Sequence, residues 1–333
     1  MPDDASSMQE SNKFRAILWE LRIAIALVLI CVYLSMATDH FLTTRNLINV
    51  LRQVSVNGLL SIGMTFIILT GGIDLSVGSM LAFGGVVTAS FVSNAYKDVP
   101  SINPFHAICL GLLAGTVLGA VNGLVISKMR VTPFIMTLGM LSIARGMTYI
   151  YTNGMPITDL DKTFLQIGQG FFEPWGVRLL PWPVVIFLLA FAIAWVVLYR
   201  MKFGRYVYAV GGNARSARIS GINVGFIIFM VYAISGFLCA LAGVLLTART
   251  SAGLPQAGVS YELDAIAAVV IGGTSMTGGK GPLIGTLLGV ILIGVINSGL
   301  DQLSVSSYYQ QVCKGLIIVG AVMLDYFQSD GER

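Results

Sequence analysis

The apolar residues of this chain arrive in blocks of about 20, parted by short polar or glycine-rich breaks. A helix rises 1.5 Å per residue and a hydrocarbon layer is about 30 Å thick, so each block is long enough to cross a bilayer. Only 11% of the 333 residues are charged, against about 25% in soluble domains, too few to coat a surface facing water. With a mean hydropathy of +0.82, the pattern specifies an all-α, polytopic integral membrane protein. The 38 glycines suit such a fold, because small residues let helices approach closely in lipid.

The blocks predict about ten spans, at 23–41, 54–70, 79–92, 106–127, 132–151, 181–198, 225–247, 262–274, 283–300 and 311–327. They form a single transmembrane domain over 23–327, with tails at 1–22 and 328–333. Residues 45–53 read as a short amphipathic connection, 153–180 as a longer polar region and 200–224 as the longest basic loop. The boundaries around 71–78 and 262–281 stay open, since both segments are short or broken. Ser35-Met36-Ala37 could mimic a cleavage site, but the long charged prelude and the later spans favour an uncleaved anchor. Of the 20 Lys and Arg residues, twelve fall on the side of both termini and six on the other. That bias places both termini in the cytoplasm.

Several functions are disfavoured. The net charge of +4 reports orientation and not a nucleic-acid surface. Cys31, Cys109, Cys239 and Cys313 lie in or beside apolar blocks without C-x-x-C spacing and are expected to be buried packing residues. His40 and His106 have no supporting spacing for a triad or metal cluster. The stretch 272–281 resembles a phosphate cradle, but Gly279-Lys280 is followed by Gly281, and Thr274 stands where the first glycine belongs. No cofactor site is expected on this chain.

The candidate functional positions are glycine breaks and intramembrane charges. Gly71, Gly72 and Gly78 in ILTGGIDLSVG are echoed by Gly272, Gly273, Gly278 and Gly279 in VIGGTSMTGG. Paired interruptions of this kind suit an inverted repeat, in which irregular backbone lines a cavity or is buried in protein; recurrence in a glycine-rich chain is the competing account. Charge within a span costs a few kcal/mol, so Asp74, Arg145, Glu262, Asp264 and Lys314 need explanations. For Glu262 and Lys314 the simpler explanation is a stem that snorkels to the headgroups. For Asp74 and Asp264 the expectation is a buried hydrogen-bonding role at the breaks, holding backbone or facing a pathway. Asn213, Ala214, Arg215, Ser216, Ala217, Arg218, Ile219, Ser220 and Gly221 read as an N-capped short helix with a C-terminal glycine. So short a helix is marginal alone, and it either packs on a partner or lies on lipid headgroups by its arginines.

Five ordered blocks are similar to the membrane permease subunits of bacterial ABC sugar importers, the family that serves ribose, xylose, galactosides, allose and autoinducer-2. They are residues 63–85, 122–141, 145–157, 203–224 and 261–281. The ribose branch is matched best, on YTNG at 151–154, GINV at 221–224, YELDAIAAVV at 261–270, GGTS at 272–275 and VSSYYQ at 305–310. The resemblance implies an inner-membrane permease paired with a second copy, two ABC ATPase subunits that bind ATP and magnesium, and a periplasmic sugar-binding protein. It implies that residues 213–221 dock into the ATPase and that 153–180 and 301–310 receive the binding protein. An ion-coupled secondary transporter, with Asp74 and Asp264 as ion sites, and a membrane scaffold are the alternatives.

Overall fold

The computed structural model describes residues 23–330; the segment 1–22 lies outside them. Thirteen helices follow in order: α1 Ile23–Ala37, then α2 Thr44–Leu69, α3 Val77–Val92, α4 Pro104–Met129, α5 Pro133–Thr152, α6 Lys162–Gln169, α7 Trp182–Arg200, α8 Lys202–Gly212, α9 Ala214–Ile219, α10 Val224–Thr250, α11 Tyr261–Ile271, α12 Leu283–Gln302 and α13 Ser307–Asp330. Among the described residues, α2, α4, α7, α10 and α12 are long and apolar enough to cross a membrane, while α1 and α3 are shorter apolar helices.

Helix α2 is the spine. Every residue from 54 to 69 is buried, and α10 packs along it and along α3 and α4. Glycine permits the closest crossing: a Cβ added at Gly119 of α4 would stand 2.8 Å from Gly236 Cα of α10, closer than helices bearing larger residues can come. A second apolar cluster joins α1, the start of α2, α11 and α12 through Leu34, Val54, Ala268 and Ile293. Large apolar side chains such as Ile135, Leu189 and Leu316 remain exposed on the outside of the bundle, as a surface that meets lipid requires.

The structure corrects some of these expectations and adds detail to others. Residues 45–53 are not a connection but the first turns of α2, nucleated where the Thr43 side chain accepts from the Asn46 N–H. The polar region 153–180 is ordered: α6 and a two-stranded antiparallel ladder, β1 Phe171–Phe172 and β2 Leu180–Pro181, cap that end of the bundle. Gln169 fastens this cap by donating to the carbonyls of Ala248 and Arg249 at 3.2 and 3.4 Å. Of the cysteines only Cys239 is buried, and Cys109 is exposed. Helix α13 continues to Asp330, past the expected span end at 327.

Candidate functional site

Both glycine breaks are helix stops of one geometry. At the end of α2, Gly71 takes a φ of 78°, its N–H bonds Ile68 O, and the Gly72 N–H reaches back to Ile67 O. At the end of α11, Gly273 takes a φ of 85°, its N–H bonds Val270 O, and the Thr274 N–H reaches Val269 O. These are Schellman caps, which need a left-handed residue just past the helix. The structural equivalents are therefore Gly71 and Gly273, one residue out of step with the Gly-Gly alignment that the sequence suggests.

The two stops meet. The Gly279 N–H donates to Leu69 O, a carbonyl freed by the end of α2, at 2.9 Å. A Cβ on Gly278 would lie 2.8 Å from Gly71 N and 3.2 Å from Gly211 Cα, and one on Gly279 would lie 2.7 Å from Gly212 Cα. Backbone from the first break, the second break and the end of α8 is thus stacked with no room for side chains. Two tyrosines grip the same loop: Tyr208 Oη donates to Gly281 O at 2.8 Å and Tyr199 Oη accepts from the Leu283 N–H at 2.9 Å. Burial pushes the Tyr208 phenol well above its ordinary range.

Asp74 does hold irregular backbone. It is fully buried, and its Oδ1 accepts from the Ser76 N–H at 2.8 Å and the Ser76 hydroxyl at 2.5 Å, a local turn that leads into α3. Asn122 of α4 donates to the same hydroxyl at 3.0 Å. The neighbouring Ile73 carbonyl accepts from Thr137 of α5 at 3.3 Å and Tyr232 of α10 at 3.4 Å. Side chains of α5 and α10 therefore satisfy a carbonyl that the missing helical ladder would have satisfied, while Asn122 of α4 braces the Ser76 hydroxyl.

Asp264 is buried and hydrogen-bonded as expected, but not at the glycine break. It sits in the first turn of α11, away from the break, and touches no broken backbone. Its Oδ2 accepts from Asn297 of α12 at 3.1 Å and from Lys314 of α13 at 2.9 Å. Lys314 does not snorkel, because its side chain is only 16% exposed against this 2% exposed carboxylate. Glu262 is half-buried beside Gly78, where a Cβ would lie 2.9 Å from its Oε2.

Sequence reading left Arg145 without a role. It lies twelve residues into α5, about 18 Å by helical rise. One guanidinium nitrogen donates to the carbonyls of Pro255 and Ala257 at 2.6 and 2.8 Å. The loop between α10 and α11 pairs with Ile157 through Gly253 and then descends until Gly258 rests on Gly78. A charge from within a helix thus satisfies part-buried, non-helical backbone.

The segment 213–221 folds as its residues suggest. Asn213 Oδ1 accepts from the Ser216 N–H at 2.9 Å; the Gly221 N–H reaches Arg218 O and the Ile222 N–H reaches Ala217 O, another Schellman stop. Only Ala217 of α9 is buried, and Ile219 is 81% exposed. The residues before it, expected as loop, form α8, which buries Gly204, Val207 and Val210 along one face.

The family model described as "Branched-chain amino acid transport system / permease component" matches residues 46–322. The chain belongs to this permease family. Its curated relatives include a ribose import permease protein of Haemophilus influenzae, 47% identical over 92% of this chain and 93% of the relative. A ribose import permease protein of Bacillus subtilis is 46% identical over 95% and 96%. A D-allose transport system permease protein of Escherichia coli is 40% identical over 96% of each. No solved structure matches the chain. The permease is a multi-pass inner-membrane protein. Residue-by-residue reading missed Tyr199, Tyr208, Asn122 and Asn297, whose partners are all distant in sequence, and Gly211 and Gly212, for which the one faint signal is that Gly-Gly recurs at 71–72, 84–85, 211–212, 272–273 and 278–279.

Proposed function

We propose that this permease is the membrane subunit of an ATP-driven monosaccharide importer, and that its cargo is ribose. The observation that carries the ATP-driven reading is α9: a six-residue helix, capped at both ends, that buries one alanine and presents Arg215, Arg218 and Ile219 outward. Isolated helices of that length are unstable in water, so a surface of this form is built to be covered. Separate ABC ATPase subunits, which bind ATP and magnesium, cover it. The cargo follows the relatives named for ribose import, at 46–47% identity. Two copies of the chain, embedded in lipid with both termini cytoplasmic, flank the path. A periplasmic sugar-binding protein delivers the sugar to residues 153–180 and 301–310 and supplies most of the selectivity.

The test is uptake of labelled sugars by vesicles holding the permease, ATPase and binding protein. Ribose uptake that needs ATP and persists with an uncoupler supports the proposal. Uptake abolished by the uncoupler and indifferent to ATP replaces it with ion-coupled transport. Charge reversal at Arg215 and Arg218 releases the ATPase on co-purification while membrane insertion persists.

A further inference from the structure

Opposite the glycine junction, the start of α2 and the ends of α10 and α12 enclose a cavity of about 320 Å³. In a chain that is 56% hydrophobic, Val50 is the only apolar residue on its wall, which otherwise includes Asn46, Asn49, Gln53, Arg249 and Asp301. Asn46 is paired with Ser298 at 3.2 Å, whereas among the described residues the side chains of Asn49 and Gln53 make no hydrogen bond. At 3.6 residues per turn, Asn46, Gln53 and Asn57 fall within about 20° of one line down α2. Asn57, one turn below Gln53, is 4% exposed, and neither polar atom of its amide has a partner among the described residues. Asn57 lies one turn beyond the cavity wall, and because a buried, unpaired amide is costly it calls for a partner that both donates and accepts.

We propose that this amide-lined cleft is a low-affinity site for the transported monosaccharide, entered from the periplasmic end and continued inward by Asn57. The proposal rests on the importer function proposed above. Sugar hydroxyls donate and accept, as amides do, while Arg249 adds donors and Asp301 acceptors; the volume lies at the small end of ligand pockets. A lipid tail would leave these groups unpaired, and an anion would meet Asp301.

The experiment reconstitutes the permease with its ATPase and binding protein and records ribose delivered per ATP hydrolysed, for wild type, Gln53→Leu and Asn57→Leu. At least a fivefold fall in that ratio in both variants is expected. Asn57→Leu should keep or raise the thermal unfolding midpoint, since an apolar side chain replaces an unpaired amide; a merely structural amide would lower it. Saturation-transfer NMR with ribose on the purified permease gives an independent reading, with transfer in wild type and its loss in Gln53→Leu. An unchanged ratio together with unchanged transfer overturns the site. Proportional loss of hydrolysis and uptake overturns it too, by assigning the cleft to docking of the binding protein. Failure of the importer function is distinguishable, because wild-type vesicles would then show no ATP-dependent ribose uptake.

Discussion

Lys314→Met tests the ion pair that ties α13 to α11. Opposite unit charges at 2.9 Å attract by about 6 kcal/mol at an effective dielectric of about 20. Most of that gross attraction is offset by taking both groups out of water, so the pair adds little net stability. Removing the lysine is different, because it strands a 2% exposed carboxylate, and breaking a buried pair costs about 3–5 kcal/mol. The Asn297 amide still donates at 3.1 Å, which places the expected loss near the lower bound, at about 3 kcal/mol. Asp264→Asn with Lys314→Met removes both charges and should return to within about 1 kcal/mol of wild type. Reversible unfolding in mixed micelles, followed by circular dichroism during an SDS titration, measures all three proteins. A Lys314→Met protein as stable as wild type, or a double variant no better than the single, would refute the role assigned to the pair.

Two further predictions concern opposite ends of the bundle. Gly279→Ala places a Cβ 2.7 Å from Gly212 Cα at a φ of 75°; left-handed backbone and overpacking together should cost about 2–4 kcal/mol, lowering the unfolding midpoint and the ATPase response to loaded binding protein, and a wild-type response would remove the junction from coupling. At the other end, the Thr163 hydroxyl and then the Phe164 and Thr163 N–H groups hold the Asp161 carboxyl below its usual range, against a modest opposing effect of burial. A depressed folded-state pKa means that the carboxylate stabilises α6 fully above roughly pH 4 and that this contribution is lost as pH falls through the folded value. Hydrogen exchange of α6 amides, corrected for intrinsic rates, should quicken over that window in wild type and show no such step in Asp161→Ala.

What was legible depended on whether a residue's reason was local. The N-cap at Asn213 and the stop at Gly221 follow from capping within a few residues, so a linear reading finds them. Residues 45–53 failed because polarity was read as water exposure, whereas Asn46 and Gln53 face a polar cavity beside a helix that simply continues. Lys314 failed for a related reason: its partner lies 50 residues away on another helix, and composition alone favours the snorkelling stem. Arg145 was recognisable as an anomaly, yet its role depends on where the loop at 255–257 travels, which is a tertiary fact.

From α9 the chain runs back through Asn213 to Gly211 and Gly212, where backbone meets backbone directly, with no intervening side chain. Close-packed interiors transmit displacement and do not absorb it. On the far side of that contact lie two helix ends whose next residues are non-helical, and such ends can reorient without breaking a helical ladder. Arg145, from the continuous helix α5, and Asp74, from within the first break itself, each satisfy irregular backbone on that side of the contact. A larger residue at Gly211 would interpose a compliant side chain where backbone now meets Leu69 and Gly279, and would weaken transmission even where the fold survived.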